Sequence, residues 1–400
     1  MKKFKIGLLP KILIAIVLGI GAGLGLEYIH GAFQGEWMST AAESTARVFV
    51  TINGIFSQFL GFVIPLIIVA LVTTAIADIG NKAGKMLLVT VAIAYGSTVF
   101  AGLVSYLTGA ALFPTMIDST ASLNEVQEFA SLTPFFEVNI PPLMGVMTAL
   151  VLAFTLGLGL ASTQHDTLMK ATHGFEEIMV KTIKVAIIPL LPLYIFGIFL
   201  DMAYVGKVFS ILSVFIKIIG IIFLIHIGIL LLQFIIAGAI TKKNPFILLW
   251  NMLPAYFTAL GTQSSAATIP VTLEQTRKNG VSEDIAGFTV PLCATIHMAG
   301  STLKIVACAL ALMIMQGMPY DFGMFAGFIC MLGITMVAAP GVPGGAIMAS
   351  LGLLGSMLGF TAESQALMIA LYIAMDSFGT ACNVTGDGAI SLIVDRIFKK

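Results

Sequence analysis

Charge is what this sequence has least of. Only 10% of its 400 residues are Asp, Glu, Lys or Arg, against 58% hydrophobic, whereas soluble domains carry about 25% charged residues. That excludes a water-soluble fold and makes lipid the bulk solvent. Cysteine is scarce too: Cys293, Cys308, Cys330 and Cys382 all lie in apolar runs without metal-ligand spacing, so they read as buried free thiols rather than a disulfide or zinc framework. The five histidines, His30, His165, His173, His226 and His297, sit in separate segments, and P-loop and Gly-x-Ser-x-Gly patterns are missing. An intramembrane enzyme therefore has no nucleophile, base or metal cluster to work with. A channel would need rings of filter carbonyls or charges, and nothing beyond two interrupted runs offers them. Short-period repeats are absent, and the first apolar run has no small-residue cleavage site, which marks it as a retained helix.

What is present is a series of apolar runs at about 6–26, 48–77, 86–112, 142–160, 180–200, 208–240, 287–315, 324–357 and 366–394. Each approaches or exceeds the roughly 20 residues needed to cross hydrocarbon, which predicts at least eight spans. Lys2, Lys3, Lys5 and Lys11 precede the first run; Lys82 and Lys85, Lys170, Lys181 and Lys184, then Lys242 and Lys243 follow later ones; Arg396, Lys399 and Lys400 end the chain. Basic residues in short loops stay in the cytoplasm, so both termini are expected inside. Between Lys85 and Lys170 there is no lysine or arginine, and the 113–139 connection carries Asp118, Glu125, Glu128 and Glu137. That loop is expected outside.

Simple up-and-down counting fails later. The stretch 244–276 lies between two basic pairs and is too short for two crossings, which need about 40 residues. A re-entrant hairpin with its tip at Gly261–Ala267 fits instead. Such a backbone is tolerated at membrane depth only where it lines a protein cavity. A second interruption, Ala339-Pro340-Gly341-Val342-Pro343-Gly344-Gly345, cannot stay helical. Paired broken segments point to a substrate site between inverted repeats.

Few ionisable residues lie inside the runs. Asp376 and Asp387 are about three helical turns apart, with Thr380 and Asn383 between them on one face. A carboxylate there costs at least about 2.5 kcal/mol on insertion scales and marks an ion or substrate path.

These segments resemble the dicarboxylate/amino acid:cation symporter family, over essentially the whole chain. Three signatures carry the resemblance: Gln263-Ser264-Ser265-Ala266-Ala267-Thr268-Ile269-Pro270, Pro340-Gly341-Val342-Pro343-Gly344, and Asp376…Thr380…Asn383…Asp387. The resemblance implies an all-α integral membrane protein of eight transmembrane helices plus two re-entrant helical hairpins in inverted repeats. It also implies a homotrimer in the cell membrane, with scaffold helices in 1–80 and 114–203 and a moving transport part in 81–113 and 204–400. Ser264, Ser265, Gly341, Asp376, Gly379, Thr380 and Asn383 would bind substrate. Its carboxylate would meet the first tip, where exposed N–H groups suit an anion, and its amino group would meet Asp376. Thr295, His297, Met298, Asn383 and Asp387 would bind the coupling cation, with Asn383 and Asp387 as sodium ligands. No cofactor beyond that cation and no nucleic acid is implied.

The departures bear on selectivity. Acid-transporting members have arginine where this chain has Gly379, or just before the first tip's serines, where it has Gln263. Without either guanidinium, a second substrate carboxylate lacks a bidentate partner. The pattern looks most like serine/threonine carriers, and a neutral substrate of serine, threonine or alanine type follows. The alternative is an acidic amino acid or dicarboxylate, with proton coupling and Lys304 as the cation. The unwound motif of the seventh helix reads His297-Met298-Ala299-Gly300-Ser301, without the family's aspartate. His297 either carries a proton or donates hydrogen bonds. Lys304, two turns along the same face, either stands in for a cation or pairs with an aspartate.

Overall fold

The computed structural model describes residues 8–33, 35, 37–81, 84–117, 132–163, 166–206, 208–339 and 343–398, and among these all regular structure is helical. Asp118, Glu125, Glu128 and Gly341 lie outside the described residues. Among the described residues, fifteen α-helices follow one another. They are α1 Leu8–Ala32, α2 Trp37–Asn81, α3 Lys85–Met116, α4 Val146–Thr163, α5 Asp166–Thr182, α6 Ile188–Tyr204, α7 Val208–Thr241 and α8 Pro245–Thr262. Then come α9 Ser265–Lys278, α10 Glu283–Ile296, α11 Ala299–Met315, α12 Phe322–Val337, α13 Gly345–Leu358, α14 Ala362–Ala374 and α15 Asp376–Phe398. Among the described residues, seven helical stretches are long and apolar enough to cross a membrane, eight if the bent pair α14–α15 counts as one. The chain is a multi-pass membrane protein.

Burial sorts these helices into shells. In the most apolar window of α10–α11, 94% is covered by protein, against 22% for α1. The first therefore lies in the packed interior and the second on the outside of the bundle. Every residue of α11 is buried, and α15 is buried along most of its length.

The interruption after α8 turns the chain back on itself. Gln263 ends α8 in the left-handed region, and the Ser264 side chain caps α9 by accepting from the Ala267 amide at 3.2 Å. The far ends of the pair are stapled together. Asn251 Nδ2 donates to Asn279 Oδ1 at 2.9 Å, Asn279 Nδ2 donates to the Leu248 carbonyl at 3.0 Å, and Lys243 Nζ donates to the Asn279 carbonyl at 2.6 Å. Asn279→Ala removes the acceptor of the Asn251 amide and the second donor to the Leu248 carbonyl, at about 0.5–1.5 kcal/mol each. We expect its melting temperature in mild detergent to fall by several degrees; an unchanged melt rejects this staple. The second interruption likewise separates α12 from α13, with Gly344 at φ 75° just before α13.

Several expectations need correction. The last apolar run, 366–394, is two helices bent by 62° at Met375, so Asp376 opens a helix instead of sitting inside one. The helix containing 180–200 extends back as α5, which carries Lys170 and Lys181 and joins α6 through a π-helical turn, Ile183–Ile187, without a loop. Cys330 is exposed, unlike the other three cysteines. His297 and Lys304 do not share one continuous helical face, because α10 stops at Ile296 and α11 starts at Ala299.

Candidate substrate and cation site

Three helix breaks meet at one place: the α8–α9 tip, the unwound His297-Met298 and the α14–α15 bend. A small cavity of about 30 Å³ lies among them. The first tip contributes Gln263, Ser264 and Ser265; the second break contributes Met298 and Ser301; Tyr372, Asp376, Thr380 and Asn383 come from α14 and α15; Ala294 and Ala346 complete it. A water molecule fits such a space, so an amino acid needs the tips to part.

Close helix approach sets the geometry. Gly300 lies so near α15 that a Cβ there would come within 2.6 Å of Cys382 Cβ. That proximity lets the Gly300 amide donate to Asn383 Oδ1 at 2.8 Å, while Asn383 Nδ2 reaches Ser301 Oγ at 3.2 Å and Met298 Sδ at 3.3 Å. Tyr372 OH donates to the same Ser301 Oγ at 2.9 Å. The Asn383 side chain is thus committed to bracing the unwound segment. Thr380 Oγ1 donates to the Asp376 carbonyl at 3.0 Å.

The two carboxylates have separate basic partners. Asp387 Oδ1 is 2.9 Å from His297 Nδ1, which also lies 3.2 Å from the Asn383 carbonyl. On the other side of the ring, Ser97 Oγ is 3.1 Å from Nε2 and accepts from Gln233 Nε2 at 2.9 Å. Ser97 is then free to donate its own hydrogen to Nε2, which leaves Nδ1–H for Asp387. Asp376 Oδ2 accepts the Gly344 amide at 2.9 Å, and its Oδ1 lies 3.6 Å from Lys304 Nζ.

Two acceptors in this region, Asp387 Oδ2 and Gln233 Oε1, are buried with no hydrogen-bond partner. Hard oxygens left unpaired in apolar surroundings are what a hard cation takes. Thr295 is placed elsewhere: it is exposed, and its hydroxyl donates to the Leu292 carbonyl of its own helix. Lys304 does not line the cavity. A larger cavity of about 510 Å³, between α2, α6 and the 132–139 segment, carries Glu137, Asp201 and Glu363 and no lysine or arginine.

The sequence of the sodium:dicarboxylate symporter family matches residues 8–397. The chain belongs to that family. Its members are transporters, and this symporter is not an enzyme. The serine/threonine transporter SstT of Acinetobacter baumannii (strain AYE) is 26% identical over 417 residues, covering 98% of this chain and 97% of its own. The human excitatory amino acid transporter 2 is 32% identical over 177 residues, covering 44% of this chain and 30% of its own. The rat neutral amino acid transporter B(0) is 31% identical over 161 residues, covering 39% and 29%.

Sequence reasoning missed Ser97, Gln233 and Tyr372. Gln233 was findable as the one amide side chain within the 208–240 run, since polar groups at membrane depth tend to be functional. Ser97 and Tyr372 carried no such signal.

Proposed function

We propose that this chain is a secondary active symporter importing a small neutral amino acid, of serine, threonine or alanine type, coupled to sodium by alternating access. The observation that carries this reading is a cavity with a carboxylate, Asp376, on one wall, a helix start at Ser264–Ser265 on another, and no guanidinium among its lining residues. A zwitterion matches that arrangement: its carboxylate meets the free amides at the start of α9 and its ammonium meets Asp376. The unpaired Asp387 Oδ2 supports a cation beside the Asn383 carbonyl. The likeness to SstT points to the same substrates. In this reading both hairpins are re-entrant, the active form is a homotrimer in the cell membrane, and both termini are cytoplasmic.

An acidic amino acid or dicarboxylate would need Lys304 turned toward the cavity. Its ammonium instead faces the Met375 carbonyl and Asp376. A second, unpaired carboxylate then costs several kcal/mol even when partly desolvated, at least about a hundredfold in affinity. Purified protein in proteoliposomes, offered labelled serine, threonine, alanine, aspartate and succinate under an imposed sodium or proton gradient, tests this. Serine uptake driven by sodium is expected; aspartate or succinate uptake equal to serine uptake rejects the neutral-substrate reading.

A further inference from the structure

Lys304 is 1% exposed and among the largest fully buried side chains of the described residues. Its ammonium donates to the Met375 carbonyl at 3.1 Å, lies 3.6 Å from Asp376 Oδ1, and stands 3.9 Å above the Tyr372 ring centroid. A carbonyl at a helix end, a carboxylate and an aromatic face are the partners a bound monovalent cation would take. Asp376 and Tyr372 line the cavity and Lys304 does not.

Stability is a poor reason for such a pair, because a buried ion pair is often no better than apolar residues of the same volume. Transport supplies a better one. Alternating access makes the site change sides twice per cycle, once loaded and once empty. Loaded with a zwitterion, Asp376 is met by the substrate ammonium. Empty, it would carry an unpaired charge through apolar surroundings unless a cation travelled with it.

Resting on the symporter reading above, we propose that Lys304 is the resident counter-ion of the empty site. It neutralises Asp376 when no substrate is bound, so the empty site can change sides. It shares Asp376 with the substrate ammonium once one arrives, held meanwhile by the Met375 carbonyl and Tyr372. The return step then needs no cation from solution at this carboxylate.

Two assays separate the halves of the cycle. Exchange of external labelled serine for internal serine needs only the loaded site to cross, whereas net uptake into serine-free vesicles needs the empty site to return. Lys304→Met is expected to lower net uptake at least tenfold while exchange stays within about threefold of wild type. Equal loss of both means a structural role and overturns the proposal, as does undiminished net uptake. Should Lys304→Met fail to fold, Lys304→Gln and Lys304→Arg read the same ratio: Gln must lower net uptake relative to exchange and Arg must keep it. A Gln ratio equal to wild type also overturns it. The wild-type arm carries the proposed function separately: without serine, threonine or alanine exchange there, the symporter reading and this role both fall; with it, the variants alone decide Lys304.

Discussion

Gly379→Arg is expected to lose serine uptake, because an arginine at 379 collides with Lys304. A Cβ built at position 379 overlaps both Nζ and Cε of Lys304, and the Gly300 carbonyl stands 3.4 Å away. Arginine therefore forces the ammonium out of the pocket formed by Met375, Asp376 and Tyr372, and sets two cations beside one carboxylate. Breaking a buried pair costs about 3–5 kcal/mol, which is at least a hundredfold in any equilibrium that depends on it. The single variant is expected to lose serine uptake by that factor and to gain no aspartate uptake. Lys304→Ala combined with Gly379→Arg removes the collision and supplies one guanidinium, so this double variant should take up aspartate in preference to serine. A single variant that transports aspartate well, or a double variant that still prefers serine, rejects this account of position 379.

The second large effect is on cation activation. Asp387 is 1% exposed, with Oδ1 beside His297 and Oδ2 unpartnered. Asp387→Asn keeps the shape and a carbonyl oxygen for His297 Nδ1–H but removes the charge from the proposed cation site. Interactions of charged groups of this kind contribute about 1.5–3 kcal/mol, so the sodium concentration for half-maximal uptake should rise roughly 10- to 150-fold. The melting temperature without sodium should move by only a few degrees. Sodium activation curves that superimpose for variant and wild type remove Asp387 from the cation path.

The sequence announced the membrane class and the family more clearly than the local geometry. Both helix interruptions were legible, the first because 244–276 is too short for two crossings and the second because Pro-Gly-Val-Pro-Gly cannot continue a helix. The membrane class followed from composition alone, and the family from motifs spread along the second half. The bend at Met375 was not legible: Ala366–Val394 contains no proline to announce it, and tertiary context sets the direction of the chain there. For the same reason the partners of the basic residues were hidden. The two-residue unwinding at His297-Met298 sends the imidazole to Asp387 and leaves Lys304 for Asp376, a division no helical period encodes.

The length of α2 has a consequence of its own. Its 45 residues make a rod of roughly 67 Å at 1.5 Å per residue, more than twice the roughly 30 Å hydrocarbon thickness. Tilt cannot absorb that, since transmembrane helices lean by 0–40°. Part of the rod must stand in water, and its composition says which part: Trp37–Arg47 includes Ser39, Thr40, Glu43, Ser44, Thr45 and Arg47. Along this end run the fastenings of the 132–140 segment, with Arg47 Nε donating to the Thr133 carbonyl at 2.9 Å, Phe135 N–H to Thr51 Oγ1 at 2.9 Å, and Ile140 N–H to Gln58 Oε1 at 3.3 Å. α2 is thus a mast with a wet tip, and the 132–140 segment is a stay cable lashed from that tip down onto the turns that follow it.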